Sequence, residues 1–420
     1  MKTPLLLCFI ALASLCHADQ KAKFRLLFNG RNLSGWSGDG YKVEKDILVC
    51  TPEGKILTTD AVFASYILDF DFLLTPGANN GLGIHYPGHG DASSTGMEIQ
   101  ILDDSAAKWK GLEAHQYQGS LYSLAAAKKA ALKPVGEWNN QRVTVVGAKL
   151  VVEVNGKIIL DTNLDELGKL HPDHEGLKRR SGQIAFLGHG DKVSFRNINI
   201  IEIAPTANIE GVTKAGFKPL FDGQSLDNWK YVSGKTDNWY VANGILKHTG
   251  EKGTTNDLWS EENFKDFTMV FDWRWSGKGE KKMQPVILAD GSEKPGPDGA
   301  RELVEIEELD SGIYLRGNTK SQVNLWNWTV GSGEIYGYRT DPDQSPETKE
   351  AVTPKRKADR AVGEWNRMMI SVKCKQVTVS LNSEVVIENA TLDEIPEEGP
   401  IGLQHHGQAI DFANIWVRKD

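Results

Sequence analysis

Several short segments carry polar residues at every second position, the spacing that lines side chains up on one face of a β-strand. In "TGMEIQIL", Met97, Ile99 and Ile101 form an apolar row and leave Glu98 and Gln100 on the other side. In "GLGIHY", Leu82, Ile84 and Tyr86 make the apolar row and His85 lies opposite. Later segments behave alike. "SGIYLR" turns Tyr314 and Arg316 outward, "QVNLWNW" turns Asn324, Trp326 and Trp328 outward, and "PIGLQHHG" turns Gln404 and His406 outward. A surface holding carboxylate, imidazole, phenol and guanidinium groups has what proton transfer needs. Two indoles at i and i+2 beside an amide suit a sugar, whose C–H faces stack on rings while its hydroxyls take hydrogen bonds. Large exposed aromatics without such a partner are costly.

The elements that must position these residues are written twice. "LFNGRNLSGW" from Leu27 is answered by "LFDGQSLDNW" from Leu220, and "NGLGIHY" by "SGIYLRG". "GSLYSL" matches "GEIYGY", and "VGEWNNQRVTVV" matches "VGEWNRMMISVK". "SGQIAFLGHGDKVSFRNINI" matches "EGPIGLQHHGQAIDFANIWV". Segments recurring in one order report an internal repeat. The chain divides into residues 24–203, a linker over 204–216, and a second copy over 217–420 with insertions between Trp275 and Glu302 and between Thr340 and Arg360. Overlaying the copies aligns His85 with Arg316, Glu98 with Asn324, Gln100 with Trp326, Tyr122 with Tyr336, and His189 with His406. Nine of the twelve tryptophans fall in the second copy. Trp36, Trp138, Trp229 and Trp365 recur in shared phrases and are expected to pack structurally, whereas Trp273, Trp275, Trp326 and Trp328 have no counterpart.

"RVTVVGAKLVVEVNGKIIL" reads as strands around a Gly147 turn and an Asn-Gly hairpin, and "QVTVSLNSEVVI" repeats the pattern. Short β-branched runs and few helical periods predict two all-β domains, each an antiparallel two-sheet sandwich.

Composition narrows the function classes. The 56 acidic residues outnumber the 48 basic ones, a balance that argues against a nucleic-acid partner. "MKTPLLLCFIALASLCHADQ" reads as a cleavable leader over 1–18, which predicts a secreted or periplasmic protein. No segment has the roughly 20 apolar residues of a membrane span. Cys16 follows bulky Leu15 and is not read as a lipid anchor, while Cys50 and Cys374 are expected to be buried free thiols.

Glu305 and Glu307 in "ELVEIEELD" share a strand face and raise a glucanase-like reading, since retaining glycosidases set two carboxyls about 5–5.5 Å apart. Their spacing fits poorly, and Glu307 stays a substrate-binding candidate. No cofactor is required by the sequence; a divalent metal at Asp103 or Asp104 stays open, as does the oligomeric state.

Taken together, the paired opening phrases, "TGMEIQILDD", "SGIYLRG", "GEWN" and "GLQHHGQAIDFANI" resemble the 3-keto-disaccharide hydrolase family over nearly all of the chain, twice. The resemblance implies a concanavalin A-like jelly roll and cleavage of glycosides already oxidised at C3. A C3 ketone acidifies the C2 hydrogen, so the oxygen at C1 can leave by elimination before water adds. Such a site needs a base near C2 and a donor for the enolate. His406 or His189 suits the base, Arg316 or Tyr336 the donor, and Glu98 is a further catalytic candidate. Asn324, Trp326, Trp328, Gln404, Gln100, His85 and Tyr122 complete the substrate-binding set. Leu187 stands where the second copy has Gln404, and the second copy is expected to hold the better-developed pocket. A non-catalytic carbohydrate-binding sandwich is the alternative.

Overall fold

The computed structural model describes residues 23–129, 132–206, 209–231, 238–251 and 256–420, so the expected leader lies outside the described residues. Two antiparallel sandwiches follow one another, each facing an eight-stranded sheet with a five-stranded one, as tandem jelly rolls require. The first small sheet runs in the order Trp36–Gly38, Ile56–Thr59, Gln183–Gly188, Asn79–Tyr86, Met97–Leu102. The second repeats it as Trp229–Tyr231, Leu258–Phe264, Gly399–Leu403, Asp310–Leu315, Asn318–Trp326. Each sandwich closes around its own apolar cluster, containing Phe70, Phe186 and Phe195 in one and Phe271, Leu403 and Phe412 in the other.

The expected triple-strand hairpins form at Asn139–Val146, Lys149–Val154 and Lys157–Asn163, and again at Asn366–Lys373, Gln376–Leu381 and Glu384–Thr391. The first insertion adds a two-stranded hairpin, Glu280–Pro285 with Leu303–Glu308, and Ile209–Lys214 within the linker is helical. No helix among the described residues is long and apolar enough to cross a membrane.

The repeated opening phrase has a structural reason. Its last residue is a buried tryptophan whose indole N–H donates back to the carbonyl of its first residue, Trp36 to Leu27 at 3.0 Å and Trp229 to Leu220 at 3.2 Å. Between them, the side chain of Asn29 or Asp222 accepts backbone N–H groups two and three residues on, which fixes the turn. One expectation fails: Cys50 is buried, but Cys374 is exposed, because it occupies a left-handed turn position (φ 53°) between two hairpin strands rather than a strand.

The sandwiches are joined by buried charge. Glu202, at the end of the first copy's last strand, accepts from Arg25 at 2.7 Å, from Lys247 at 3.1 Å and from Arg274. Asp411, fully buried, accepts from Lys247 at 2.8 Å and Arg274 at 2.8 Å. The first copy has Val49, Leu73 and Ser194 where the second has Lys247, Arg274 and Asp411, so the charges appear only where the second sandwich receives the first. Burial opposes ionisation of Glu202, yet the three cations overcome it and hold its carboxyl well below the usual range.

Removing one partner strands the others in a dry site. Glu202→Ala should therefore cost about 3–5 kcal/mol, read as a lower urea midpoint. Because the folded-state pKa is depressed, the contribution is present above the unfolded carboxylate value of about 4.3 and is lost as pH falls below it. Urea unfolding of wild type and variant should converge in acid.

Candidate active site

The outer face of each five-stranded sheet holds the polar candidates that come together. In the first copy Gly81 pairs with Gln100 and Gly83 with Glu98, so both glycines and both polar side chains share that face. A Cβ on Gly81 would lie 2.0 Å from Glu98 Oε1: the missing side chain lets the carboxylate lie flat across the neighbouring strand. Glu98, nearly buried, then meets His189 Nε2 at 3.2 Å. That hydrogen bond is the main reason the imidazole is held above its usual range, with burial opposing it and Asp91 and Asp191 adding to it. Gln100 is also buried on this face and its Oε1 has no protein partner.

The second copy builds the same frame with different groups. Gly312 pairs with Asn324 and Tyr314 with Gln322, and a Cβ on Gly312 would sit 2.1 Å from Gln322 Nε2. Gln322 is thus the structural counterpart of Glu98, and Asn324 of Gln100. The strand joining the sheet from the side agrees, since Gly119 and Ser120 bracket Gln100 as Gly333 and Glu334 bracket Asn324. The sequence overlay had placed Asn324 against Glu98 and Trp326 against Gln100, two residues out of register. Period-2 strands permit that slip, because it leaves every side chain on its own face. Tyr122 and Tyr336 do correspond.

On this face Gln322 Nε2 donates to Gln404 Oε1 at 2.7 Å, and Tyr314 stacks on Trp259 with ring centres 5.3 Å apart. Asp310 begins the same row and meets His406 Nε2 at 3.6 Å. Burial pushes the Asp310 carboxyl up to about 6 against the pull of His406, and its Oδ1 has no protein partner. Glu334, fully buried, is pushed by burial up to about 7 despite the hydrogen bond from Arg339, and the Asp310 charge adds to the effect. Asn324 Oδ1 is likewise buried and unsatisfied. A half-buried and a buried carboxyl with raised pKa values, beside unpaired acceptors, make this face a candidate for acid/base chemistry.

Glu98, Gln100 and His189 therefore come together in one copy, and Asn324, Gln404 and His406 in the other. Tyr122 is half-buried and docks by its backbone N–H on the Glu98 carbonyl at 2.8 Å. Other candidates are corrected. His85 and Arg316 are left-handed residues (φ 51° and 50°) at matching bulges, which turns both side chains off the face. His85 is fully buried, and its imidazole is pushed down to about 4 by burial. Arg316 donates to the carbonyls of Lys265, Cys374 and Pro396 and pairs with Asp266, which holds it buried and away from the face.

Trp326 is no exposed platform. It is 1% exposed, stacks on Trp328 at 4.4 Å, and is covered by Ile287 of the insertion. Trp273 and Trp275 are buried in the core. Tyr336 stands edge-on to Trp326 at the end of the row, its ring under Arg339, rather than among the acid/base groups. Glu307 accepts from the Gly279 backbone N–H and Glu305 pairs with exposed Lys281, so neither is poised as a glycosidase carboxyl. Asp103 is occupied by the Gly77 N–H and by Ser105. Among the described residues no group of three His, Cys, Asp or Glu is placed to hold a metal.

A repeated sheet face holding acid/base groups agrees with comparison against known families, where the 3-keto-alpha-glucoside-1,2-lyase-like domain matches residues 23–201 and 216–418. The chain belongs to this family, in two tandem copies. A curated relative, 3-keto-disaccharide hydrolase of Bacteroides thetaiotaomicron, is 24% identical over 223 residues, 41% of this chain and 76% of its own. A Parabacteroides distasonis structure described as a candidate glycosyl hydrolase has 24% identity, covers 43% of this chain and 94% of its own, and gives a TM-score of 0.40. A carbohydrate binding module, CBM66 from Bacillus subtilis, has 13% identity, covers 41% and 98%, and gives 0.30.

Asp310, Gln322 and Glu334 were missed on the sequence. Asp310 lies one residue before "SGIYLRG" and Glu334 inside "GEIYGY", so carrying the alternate-residue count one step further would have reached Asp310. In the first copy, Glu98→Gln removes the carboxylate that holds the His189 proton. The His189 pKa should fall from its raised position, measured by NMR titration of its ring protons; an unmoved pKa would show that Glu98 is not its partner.

Proposed function

We propose that this chain is a secreted carbohydrate-active enzyme that cleaves 3-keto-glycosides, with the second copy as its better-developed centre. The observation that carries the reading is Asp310: a half-buried carboxyl with raised pKa, its inner oxygen unpartnered, 3.6 Å from His406 on the outer sheet face. Family membership supplies the substrate class. The ionised Asp310 takes the C2 proton, which the neighbouring C3 ketone has acidified. The enolate electrons return to re-form the ketone, a C1–C2 double bond forms, and the C1–O bond breaks. His406 in its protonated form hands a proton to the departing oxygen; water then adds across the C1–C2 double bond, its oxygen bonding to C1 as its proton passes to His406 and the Asp310 proton returns to C2, which gives the 3-keto-sugar and restores both groups.

The enolate oxygen needs neutral donors that do not quench the base. This reading assigns that role to the Tyr314 hydroxyl, which shares a hydrogen bond with Gln404, and to the Gln404 amide. In the first copy Gly83 and Leu187 stand at these two positions, so its Glu98–His189 pair lacks the donors. The purely binding alternative rested on exposed Trp326 and Trp328; burial of Trp326 removes its main platform.

The mature protein should release the aglycone from a 3-keto-glucoside; no release, with or without added divalent metal, would end the reading. Its kcat/KM should fall as pH drops through about 6, where Asp310 protonates. Asp310→Asn should lose about 100-fold or more, the usual worth of a positioned base, whereas Glu98→Gln keeps near-full activity. The reverse pattern would move the centre to the first copy. Secretion is checked by mass spectrometry of the exported chain, which should begin near Asp19.

A further inference from the structure

A cavity of about 280 Å³ opens in the second sandwich, walled by Trp273, Trp275 and Trp326 and rimmed by Lys357, Asp359 and Arg360. Its size suits one sugar ring rather than a chain. Two polar atoms of its lining are buried without a protein partner: the indole N–H of Trp273, a residue with no exposed surface, and Asp359 Oδ1. Buried donors and acceptors are nearly always satisfied, so an orphaned donor and an orphaned acceptor in one cavity point to a ligand carrying both functions. Lys357 donates to the carbonyls of Asn327 and Trp328, and the second oxygen of Asp359 accepts the Ser332 N–H at 2.9 Å, which fixes both rim groups in place.

The repeat supplies a built-in comparison. Where the second copy has Trp273, Trp275, Trp326 and Asp359, the first has Phe72, Leu74, Leu102 and Leu132, all apolar. The same fold is therefore built without the indole donor, the carboxylate or the ring walls, and their presence in the second copy is not demanded by packing.

We propose that this cavity binds a single pyranose ring, with the Trp273 N–H donating to one hydroxyl and Asp359 accepting from another. Trp326 pairs through its backbone with Asp310, so the cavity adjoins the acid/base pair and would hold a neighbouring unit of the same glycoside. The inference rests on the carbohydrate reading for its ligand class, but not on the 3-keto chemistry.

Calorimetric titration with D-glucose and with methyl β-D-glucoside, whose C3 hydroxyls are intact and which cannot react, tests binding without turnover. Saturable binding is expected. Trp273→Phe, the residue the first copy uses, should weaken it about fivefold, as loss of one neutral hydrogen bond does, and Asp359→Asn about tenfold or more, because a hydrogen bond to a carboxylate is stronger. Melting temperatures identify any variant that has merely unfolded. Asp310→Asn should leave binding intact while removing turnover, which separates failure of this site from failure of the proposed reaction. No saturable binding of either sugar, or binding that survives both cavity variants and is lost in Asp310→Asn, would overturn the proposal.

Discussion

Both sandwiches depend on one strained residue pressed against one glycine. His85 and Arg316 adopt a left-handed backbone that L residues rarely take, and each lies against the strand where Gly182 or Gly399 crosses. A Cβ on Gly182 would stand 2.2 Å from the His85 carbonyl carbon, and one on Gly399 2.3 Å from the Arg316 carbonyl oxygen. Such strain persists only where the surroundings over-determine it. The two copies solve that differently: the first buries a neutral imidazole, and the second ties down a guanidinium with three carbonyls and Asp266. In the first copy the bulge also resets strand parity. Ile84 points to the core, and two residues later Tyr86 packs outside with Ala185 and Leu187.

Upstream of that bulge the pleat is regular, and the outer face diverges on a constant backbone. Gly81 and Gly312 both make room for a long polar side chain from the next strand, glutamate in one copy and glutamine in the other. At the next position of the row, Gly83 leaves the first face open while Tyr314 fills the second and stacks on Trp259. Gly402 permits that stack, because a Cβ there would come within 2.8 Å of the Trp259 ring. An exposed imidazole held by a carboxylate, and a half-buried carboxyl raised beside an imidazole, are two electrostatic solutions built on one frame.

The buried cluster around Glu202 makes the pair more than beads on a string. Its charges come from both copies, and removing one leaves its partners uncompensated at a buried interface. Nearby, the Ser181 hydroxyl donates to the Val362 carbonyl at 3.0 Å and the Val62 N–H to the Ser276 carbonyl at 3.2 Å. Val362 also lines the tryptophan cavity, so the first sandwich braces one of its walls.

The sequence by itself determined the duplication, the all-β class and, upstream of the left-handed bulges, which side chains share a strand face, because repeats and alternation are local and a strand's period is exact enough to count. Glu98, Gln100, Asn324 and Gln404 were placed correctly on that basis. Only the tertiary structure decided what alternation cannot carry. One left-handed residue turned His85 and Arg316 away from the face they were counted onto. An insertion remote in sequence covered Trp326. Register was decided by pairing rather than by parity, which is blind to a two-residue slip, and so Gln322 took the place assigned to Asn324. The acidity of Asp310 and Glu334 was hidden for a deeper reason: a carboxyl is pushed up by the water it loses, and burial is a sum over neighbours from the whole fold.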